Sequence, residues 1–233
     1  MDLLAIIYKI KEFIITGMHN FPLIIAMTSL VLACGTSNMG YVILFTFLSF
    51  IIPLLVFAHN SLNKYLHKLI NWLLSLVSDK QFEFADTVAA TCKIAQQTGE
   101  GAIYTYPTFW MASLFFVFFF TFWNGLRIYQ FQNSDQADPT KVFNRKSQAI
   151  IGMVASGVIF LIFFIWRYMT GCEHRPWGIL NAALYGALAI GFFEACHQCN
   201  LLRLVDLYGV GSRLMPVSAT ATDTNVCFPV SNQ

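Results

Sequence analysis

Two short clusters of Cys, His and Glu contain the side chains of this chain that are best suited to bind a metal or to form disulfides. The first cluster reads Gly-Cys-Glu-His at 171–174, and the second reads Glu-Ala-Cys-His-Gln-Cys at 194–199. Thiolate and imidazole groups are typical zinc ligands, and a structural zinc site is closed by four of them. A shared site therefore requires the segment between the clusters to bring them together.

The segment between the two clusters is predicted to cross a membrane and so to keep them apart. The 233 residues are 57% apolar and only 11% charged, whereas about a quarter of the residues are charged in soluble domains. A helix from His174 to Cys196 rises about 33 Å, and the apolar core of a bilayer is about 30 Å thick. We expect the clusters at opposite membrane faces, which excludes a shared metal.

Five apolar segments approach the length of about 20 residues that a membrane-spanning helix needs. They run from 13 or 21 to 33 and over 41–58, 108–125, 149–168 and 179–196. Pro53 is expected to bend the second helix. Trp110 and Trp123 lie about 20 Å apart along the third, a spacing typical of aromatic belts at the two interfaces. We predict an all-α polytopic integral membrane protein with about five transmembrane helices, within a range of four to six.

An amphipathic pattern follows the second span, over 61–77. Its apolar positions recur at i, i+3 and i+4, and they are Leu62, Tyr65, Leu66, Leu69, Ile70 and Leu73. The polar positions occupy the other side of the helix, and they are Asn63, Lys64, His67, Lys68, Asn71 and Ser75. This pattern predicts an interfacial helix that lies along the membrane surface. The alternative is a helix packed on a soluble partner or on a loop of the same chain. Residues 2–15 repeat the pattern less regularly.

The predicted elements divide the chain into four regions. Residues 1–58 contain an amphipathic segment and a transmembrane hairpin, and 59–107 contain the interfacial helix and a polar loop. Residues 108–199 form a three-helix transmembrane region, and 200–233 form a C-terminal tail. The tail is rich in Ser, Thr, Gly and Pro without a helical period, so we expect it to be extended unless a partner orders it.

Five spans place four cysteines on one membrane side, called side B, while the N-terminus lies on side A. They are Cys34, Cys196, Cys199 and Cys227. Only Cys196 and Cys199 have the spacing of a ligand pair, whereas a zinc site needs two pairs. A disulfide such as Cys34 with Cys196 requires an oxidising compartment. Free thiols are the favoured interpretation, and no metal or cofactor is predicted.

Small residues line one face of the fifth span and end at Glu194. These residues are Ala183, Ala187 and Gly191, with Ala182 and Gly186 forming an adjoining step and Gly152 with Ser156 a weaker version on the fourth span. Small residues allow close helix contacts in membranes, so we predict that this face packs against a neighbour. Glu194 is then expected to point into protein as a paired or interfacial group, with an ion path as the alternative. Asn181 and Arg167 are expected to cap span ends.

Signatures of membrane enzymes and of nucleic-acid binding are not found in the sequence. Arg175-Pro176 suggests a lipid phosphatase, but Tyr168 stands where the essential Lys is required, and no Ser-Gly-His follows. Glu83 and Asp86 are spaced to bind a cation, yet a solvated helix face is the simpler interpretation. The net charge of +2 is dispersed, which does not indicate a nucleic-acid partner. We predict a protein that is not an enzyme, with no catalytic, cofactor-binding or metal-binding residues.

Two stretches within 106–173 resemble multi-pass membrane proteins of large nucleocytoplasmic DNA viruses. The similar residues are Pro107, Phe109 and Trp110 before one span, Asn144, Arg145 and Lys146 before the next, and Arg167, Tyr168, Thr170, Gly171, Cys172 and Glu173 after it. The resemblance implies a virion protein of the internal membrane beneath an icosahedral capsid. It implies an anchoring or curvature role, with no catalytic residues to carry over.

The sequence therefore predicts a structural membrane protein that fixes a bilayer to a protein assembly, most plainly a viral inner membrane to its capsid. Its expected partners are the lipid bilayer and membrane or capsid proteins, reached through the tail and the face formed by Ala183, Ala187 and Gly191. A second copy of the chain is a further candidate partner. The alternatives are an accessory subunit of an organellar complex, such as a respiratory one, and a small transporter or channel.

Overall fold

The structure is a computed structural model that describes residues 9, 16–75, 108–130, 139–169, 176–199 and 205–208. These residues form helices and short connections, and none of them lies in a strand. The helices are α1 (Phe21–Thr36), α2 (Met39–Thr46), α3 (Ile52–Ser75), α4 (Phe109–Gln130), α5 (Pro139–Met169) and α6 (Pro176–Gln198). The predicted all-α class is confirmed.

Four helical stretches are long and apolar enough to cross a membrane. They are Met39–Leu62, Phe109–Gln130, Val142–Met169 and Gly178–Gln198. Helix α1 is apolar but has only 16 residues. Helical hydrogen bonds nevertheless continue before it, because the Asn20 amide donates to Thr16 at 3.1 Å and the Ile24 amide donates to Asn20 at 3.0 Å. Helix α1 therefore counts as a shorter apolar helix beside four candidate spans, which lies within the predicted range of four to six.

A connection of two residues joins α1 to α2 and reverses the chain. Ser37 adopts the left-handed conformation, with φ of 51°, and so ends α1. Asn38 then begins α2, since its side-chain oxygen accepts a hydrogen bond from the Gly40 amide at 2.9 Å, the usual bond of a helix N-cap. The first two apolar segments therefore form a hairpin, as predicted, with a connection of only two residues.

A π-helical turn, Phe47–Ile51, joins α2 to α3 just before Pro53. Proline has no amide hydrogen to donate and its ring crowds the carbonyl one turn earlier, here that of Ser49. A wider turn at this place accommodates the loss. Helix α3 then continues without interruption to Ser75, so residues 61–75 are helical as predicted and prolong the second span; their position in the interface stays a prediction. Residues 76–77 lie outside the described part of the chain.

Helix α4 is the centre of the helical bundle, with α5, α6 and the α1–α2 hairpin around it. Aromatic rings contribute to each of these contacts. The shortest ring-centroid distances across the helix pairs are 4.8 Å for Phe47 and Phe116, 4.4 Å for Phe118 and Phe160, and 4.7 Å for Phe120 and Phe193. Helices in a bilayer associate through close packing, because lipid removes the hydrophobic drive between them. The packed phenylalanines of the described helices thus supply contact area that holds the bundle together.

Helix α6 does not contact α4 through the face that was predicted to meet a neighbour. It contacts α4 through the adjoining pair of small residues. Ala182 and Gly186 are buried there, and a Cβ added to Gly186 would overlap the ring of Phe119. Ala187 and Gly191 are exposed, and Ala183 is half-buried. The predicted face therefore points out of the bundle, and its contact with a partner remains a prediction.

Candidate functional site

Polar side chains gather at the two ends of the bundle, and the first of these, end A, lies where α1 and α4 begin and α5 ends. The indole N–H of Trp110 donates to the carbonyl of Met18 at 3.1 Å. The ring of His19 meets that of Trp166 edge-on, with centroids 4.9 Å apart. Helix α1 leads from these contacts towards Asn38, which lies at the opposite end of the bundle, end B.

Arg167 is buried at end A, where its guanidinium lies 5.0 Å from the ring centre of Trp110. A cation over an indole face is a favourable contact, and it is stronger where water is excluded. Burial, together with the nearby charge of Arg167, lowers the pKa of His19. Arg167 lies in the last turn of α5, and its capping role stays a prediction. The side chain of Asn181, the other predicted cap, is half-buried.

Glu194 forms an ion pair at end B with Arg127 of α4. Its carboxylate accepts a hydrogen bond from Arg127 Nε at 2.9 Å and another from the indole N–H of Trp123 at 2.7 Å. Arg127 Nη2 contacts both carboxylate oxygens. The prediction that Glu194 is paired is confirmed, but its partner was missed. The two residues are 67 positions apart. The only feature of the sequence that they share is a position near the end of a predicted span.

We expect replacement of Arg127 by leucine to lower the free energy of unfolding by about 1–2 kcal/mol, because Glu194 loses its charge partner. The loss is below that of a buried pair, since the side chains are 28% and 33% exposed. The double variant Arg127→Leu/Glu194→Leu should recover about half of it, as measured by a double-mutant cycle of SDS-induced unfolding. Arg145→Leu is the control, because Arg145 is 64% exposed in its own ion pair. Strictly additive losses from the two single changes would contradict the pairing.

Four residues of the predicted tail, 205–208, fold back onto end B. Their first three carbonyl groups each accept a side-chain hydrogen bond: Val205 from Asn124 at 3.1 Å, Asp206 from Asn38 at 2.7 Å and Leu207 from the Tyr41 hydroxyl at 3.0 Å. The donors belong to the start of α2 and to α4. We call residues 205–208, together with the side chains that bind them, the clasp.

The side chains of the clasp extend it to α5. The carboxylate of Asp206 accepts hydrogen bonds from Arg145 and from the Tyr208 amide, both at 2.9 Å. The Tyr208 hydroxyl donates to the carbonyl of Thr121 at 3.0 Å. Its ring covers Gly152, where an added Cβ would overlap it. The Gly152 position was predicted as a helix-packing seam, and in the structure it accommodates this tyrosine.

The apolar residues of the clasp are buried against a second glycine. Val205 and Leu207 are 1% and 6% exposed. A Cβ on Gly40 would lie 2.9 Å from the Val205 carbonyl oxygen and 3.2 Å from Leu207 Cδ2. Such a distance is too short for a carbon atom, so only glycine permits this approach of the two backbones. The clasp is therefore a packed contact as well as a set of hydrogen bonds.

The expectation that a partner must order the tail is wrong for residues 205–208. The carbonyl groups of Val205, Asp206 and Leu207 are satisfied by side chains of the same chain, which removes the main cost of burying polar backbone groups. The remainder of the predicted tail lies outside the described residues. A segment of four residues is too short to show a hydrophobic period, so the sequence does not indicate that it contacts end B.

Burial raises the pKa of Tyr208 to about 12, and the nearby Tyr41 and Asp206 add to the effect. A neutral hydroxyl is needed to donate to the Thr121 carbonyl. The clasp should therefore be fully stable below about pH 10, the usual tyrosine pKa, and should weaken as the pH rises from 10 towards 12. The measurement is tyrosinate absorbance of the native chain minus that of Tyr208→Phe, which isolates one of nine tyrosines. Titration of this difference near pH 10 would contradict burial of the phenol.

The described cysteines are free thiols: Cys34 and Cys199 are exposed, and Cys196 is buried. Among the described residues, no three His, Cys, Asp or Glu side chains are grouped so as to hold a metal ion. Cys227 and the cluster at 171–174 lie outside the described part of the chain. The described polar residues form hydrogen bonds and ion pairs at the two ends of the bundle.

No protein family, curated protein or solved structure matches the chain. Its function is therefore inferred from the placement of its own residues in a membrane-spanning bundle.

Proposed function

We propose that this protein is a structural integral membrane protein that anchors a lipid bilayer to a protein assembly lying on its end-B side. The clasp is the observation that supports this role most directly. It fixes residues 205–208 at the end of the bundle, so the chain that follows Tyr208 starts from a defined point beside the membrane. An anchor needs such a point, because a tether that starts from a mobile segment does not fix the distance between the membrane and the assembly.

The clasp also distributes a load over several helices. Its contacts reach α2 through Asn38, α4 through Asn124 and α5 through Arg145. Each neutral hydrogen bond contributes about 1 kcal/mol. A force applied to the tail must therefore break several of these bonds before it is transmitted to α6. The same helices are joined by the aromatic contacts of α4. A force on the tail is thereby resisted by the whole bundle.

The resemblance of residues 106–173 to viral membrane proteins supports one particular setting. On that basis the bilayer is the internal membrane of a virion, and the assembly is its capsid. The described residues offer support only for the bundle and its fixed tail. An accessory subunit of an organellar complex would use the same parts, and purified virions that contain the chain would exclude it.

The channel alternative requires Glu194 to face a water-filled path. Its carboxylate is instead occupied by Arg127 and Trp123. These bonds explain an acidic residue near a span end without ion conduction, since paired charges are tolerated there. The contacts of Glu194 therefore favour an anchor over a channel.

Deleting residues 214–233 tests the proposal, because the deletion leaves the clasp intact. We expect the shortened chain to insert into membranes normally and to lose its incorporation into purified virions. The matched control is an unrelated sequence of equal length in place of 214–233, which should fail in the same way. Undiminished incorporation of both variants would reject the tail as the attachment point.

A further inference from the structure

The second half of α3 carries a stripe of exposed apolar side chains that continues beyond the membrane span. The exposed fractions are 59% for Leu62, 70% for Tyr65, 51% for Leu69, 59% for Trp72 and 48% for Leu73. Steps of three and four residues place them on one side of the helix. We call these five residues the α3 stripe. A continuous exposed apolar surface of this kind marks a site of interaction.

The α3 stripe continues the surface by which α3 faces lipid. Within the span Met39–Leu62, the exposed side chains include Leu55 and Ala58. Leu55, Leu62 and Leu69 recur every seven residues, so they lie on the same side of the helix. The stripe begins where the span reaches end A. A tilt of α3 towards its own lipid-facing side therefore lowers the stripe onto the headgroup layer at that end.

The charges around the α3 stripe favour an anionic surface. No acidic residue occurs between Glu12 and Asp79, so α3 has no negative charge along its length. Lys64 and Lys68 are four residues apart and share one side of the helix, and the side chain of Lys68 is exposed. Lysines beside an apolar stripe can bury their stems and hold their ammonium groups at lipid phosphates.

We propose that the α3 stripe, with Lys64 and Lys68, binds the anionic lipid headgroups of the leaflet at end A. The occupant is lipid, because the stripe is continuous with the bilayer contact of the span and its flanking charges are positive. This inference goes beyond the anchoring function and does not depend on it. It gives the protein a lipid-selective contact at end A and a tail fixed at end B.

Quenching of Trp72 by brominated lipid tests the proposal in the full chain. The chain is reconstituted into vesicles of phosphatidylcholine, with or without phosphatidylserine, that contain lipid brominated near the headgroup. Subtracting the signal of Trp72→Phe isolates one of the five tryptophans. We expect Trp72 to be quenched, and to be quenched more strongly when phosphatidylserine is present.

The double variant Lys64→Gln/Lys68→Gln should lose the phosphatidylserine-dependent increase. Each lysine is expected to shift the equilibrium towards the surface-bound helix about fivefold. The matched control is Lys141→Gln/Lys146→Gln, near end B, which should leave the quenching of Trp72 unchanged. Circular dichroism in the same vesicles verifies that each variant keeps its helices.

Three outcomes would overturn the proposal. Unquenched Trp72 in both kinds of vesicle means that the stripe does not reach the headgroups. Equal quenching in both means a contact with neutral lipid only. Shielding of Trp72 that rises with protein concentration means that a second copy covers the stripe. The vesicles contain no protein assembly, so each of these results leaves the anchoring function standing.

Discussion

Replacing Gly40 by valine should expel residues 205–208 from the clasp and raise the rate of tryptic cleavage after Arg203 about a hundredfold. A Cβ at Gly40 would lie 2.9 Å from the Val205 carbonyl oxygen and 3.1 Å from its carbon. These atoms belong to the backbone, which Asn124 holds at 3.1 Å, so they cannot move aside and keep their bonds. Losing three hydrogen bonds of about 1 kcal/mol each increases the released fraction about 100-fold.

Limited proteolysis in detergent micelles measures this release. Arg203 precedes Val205 by two residues, and a protease needs extended chain on both sides of the bond that it cuts. Cleavage therefore reports the fraction of molecules in which the clasp is open. Arg213 lies beyond the clasp in sequence, and its cleavage rate serves as the internal reference.

Gly35→Val is the matched control for the Gly40 variant. Gly35 is near the same end of the bundle, but an added Cβ there would meet no atom within 4 Å. Its cleavage after Arg203 should equal that of the native chain. If the Gly40 variant is equally protected, the clasp does not hold the tail, and the proposed attachment point loses its basis.

The second large effect is expected from Gly186→Val, which should lower the free energy of unfolding by about 2 kcal/mol. The added atoms would overlap the Phe119 ring. That ring also packs on Phe115 and Phe118, with centroids 6.4 and 5.0 Å away, so turning it aside disturbs neighbouring contacts. Overpacking of this kind typically costs about 1–3 kcal/mol. SDS-induced unfolding in mixed micelles, followed by circular dichroism, gives the difference.

Gly191→Val, in the same helix, separates packing within the chain from packing against a partner. Gly191 is exposed, and an added Cβ there would meet nothing within 4 Å. We expect the free energy of unfolding to change by less than about 0.5 kcal/mol. A drop in incorporation into virions without a loss of stability would indicate that the face of Ala183, Ala187 and Gly191 binds a partner. Equal destabilisation by both variants would contradict the assigned packing of α6.

The membrane class and the helical spans were predictable because each span is a local property of about 20 neighbouring residues. The hairpin after α1 was equally local, since Ser37 and Asn38 are a helix stop followed by an N-cap. The amphipathic pattern predicts a helix, which is confirmed over 61–75, and this helix continues the second span without a break. Periodicity reports which side of a helix is apolar and does not report whether the helix continues into its neighbour.

The candidate site was less predictable because its parts are distant in sequence. Glu194 was expected to be paired, yet Arg127 is one of several cations near span ends on the same side. Tyr208 and the rest of the clasp gave no pattern at all. The sequence predicts that Gly152 packs against another helix, whereas in the structure it packs against the ring of Tyr208.

The sequence by itself determined that this chain is an all-α membrane protein, because transfer of apolar residues into a bilayer depends on composition over short windows. It also predicts that the clusters at 171–174 and 194–199 are separated, since a helix between them would be as long as the bilayer is thick; the first cluster lies outside the described residues. Only the tertiary structure decided which side chains meet at end B. Asn38 and Asp206 are 168 positions apart, and their contact exists because three packed helices form a groove with the right donors and two glycines.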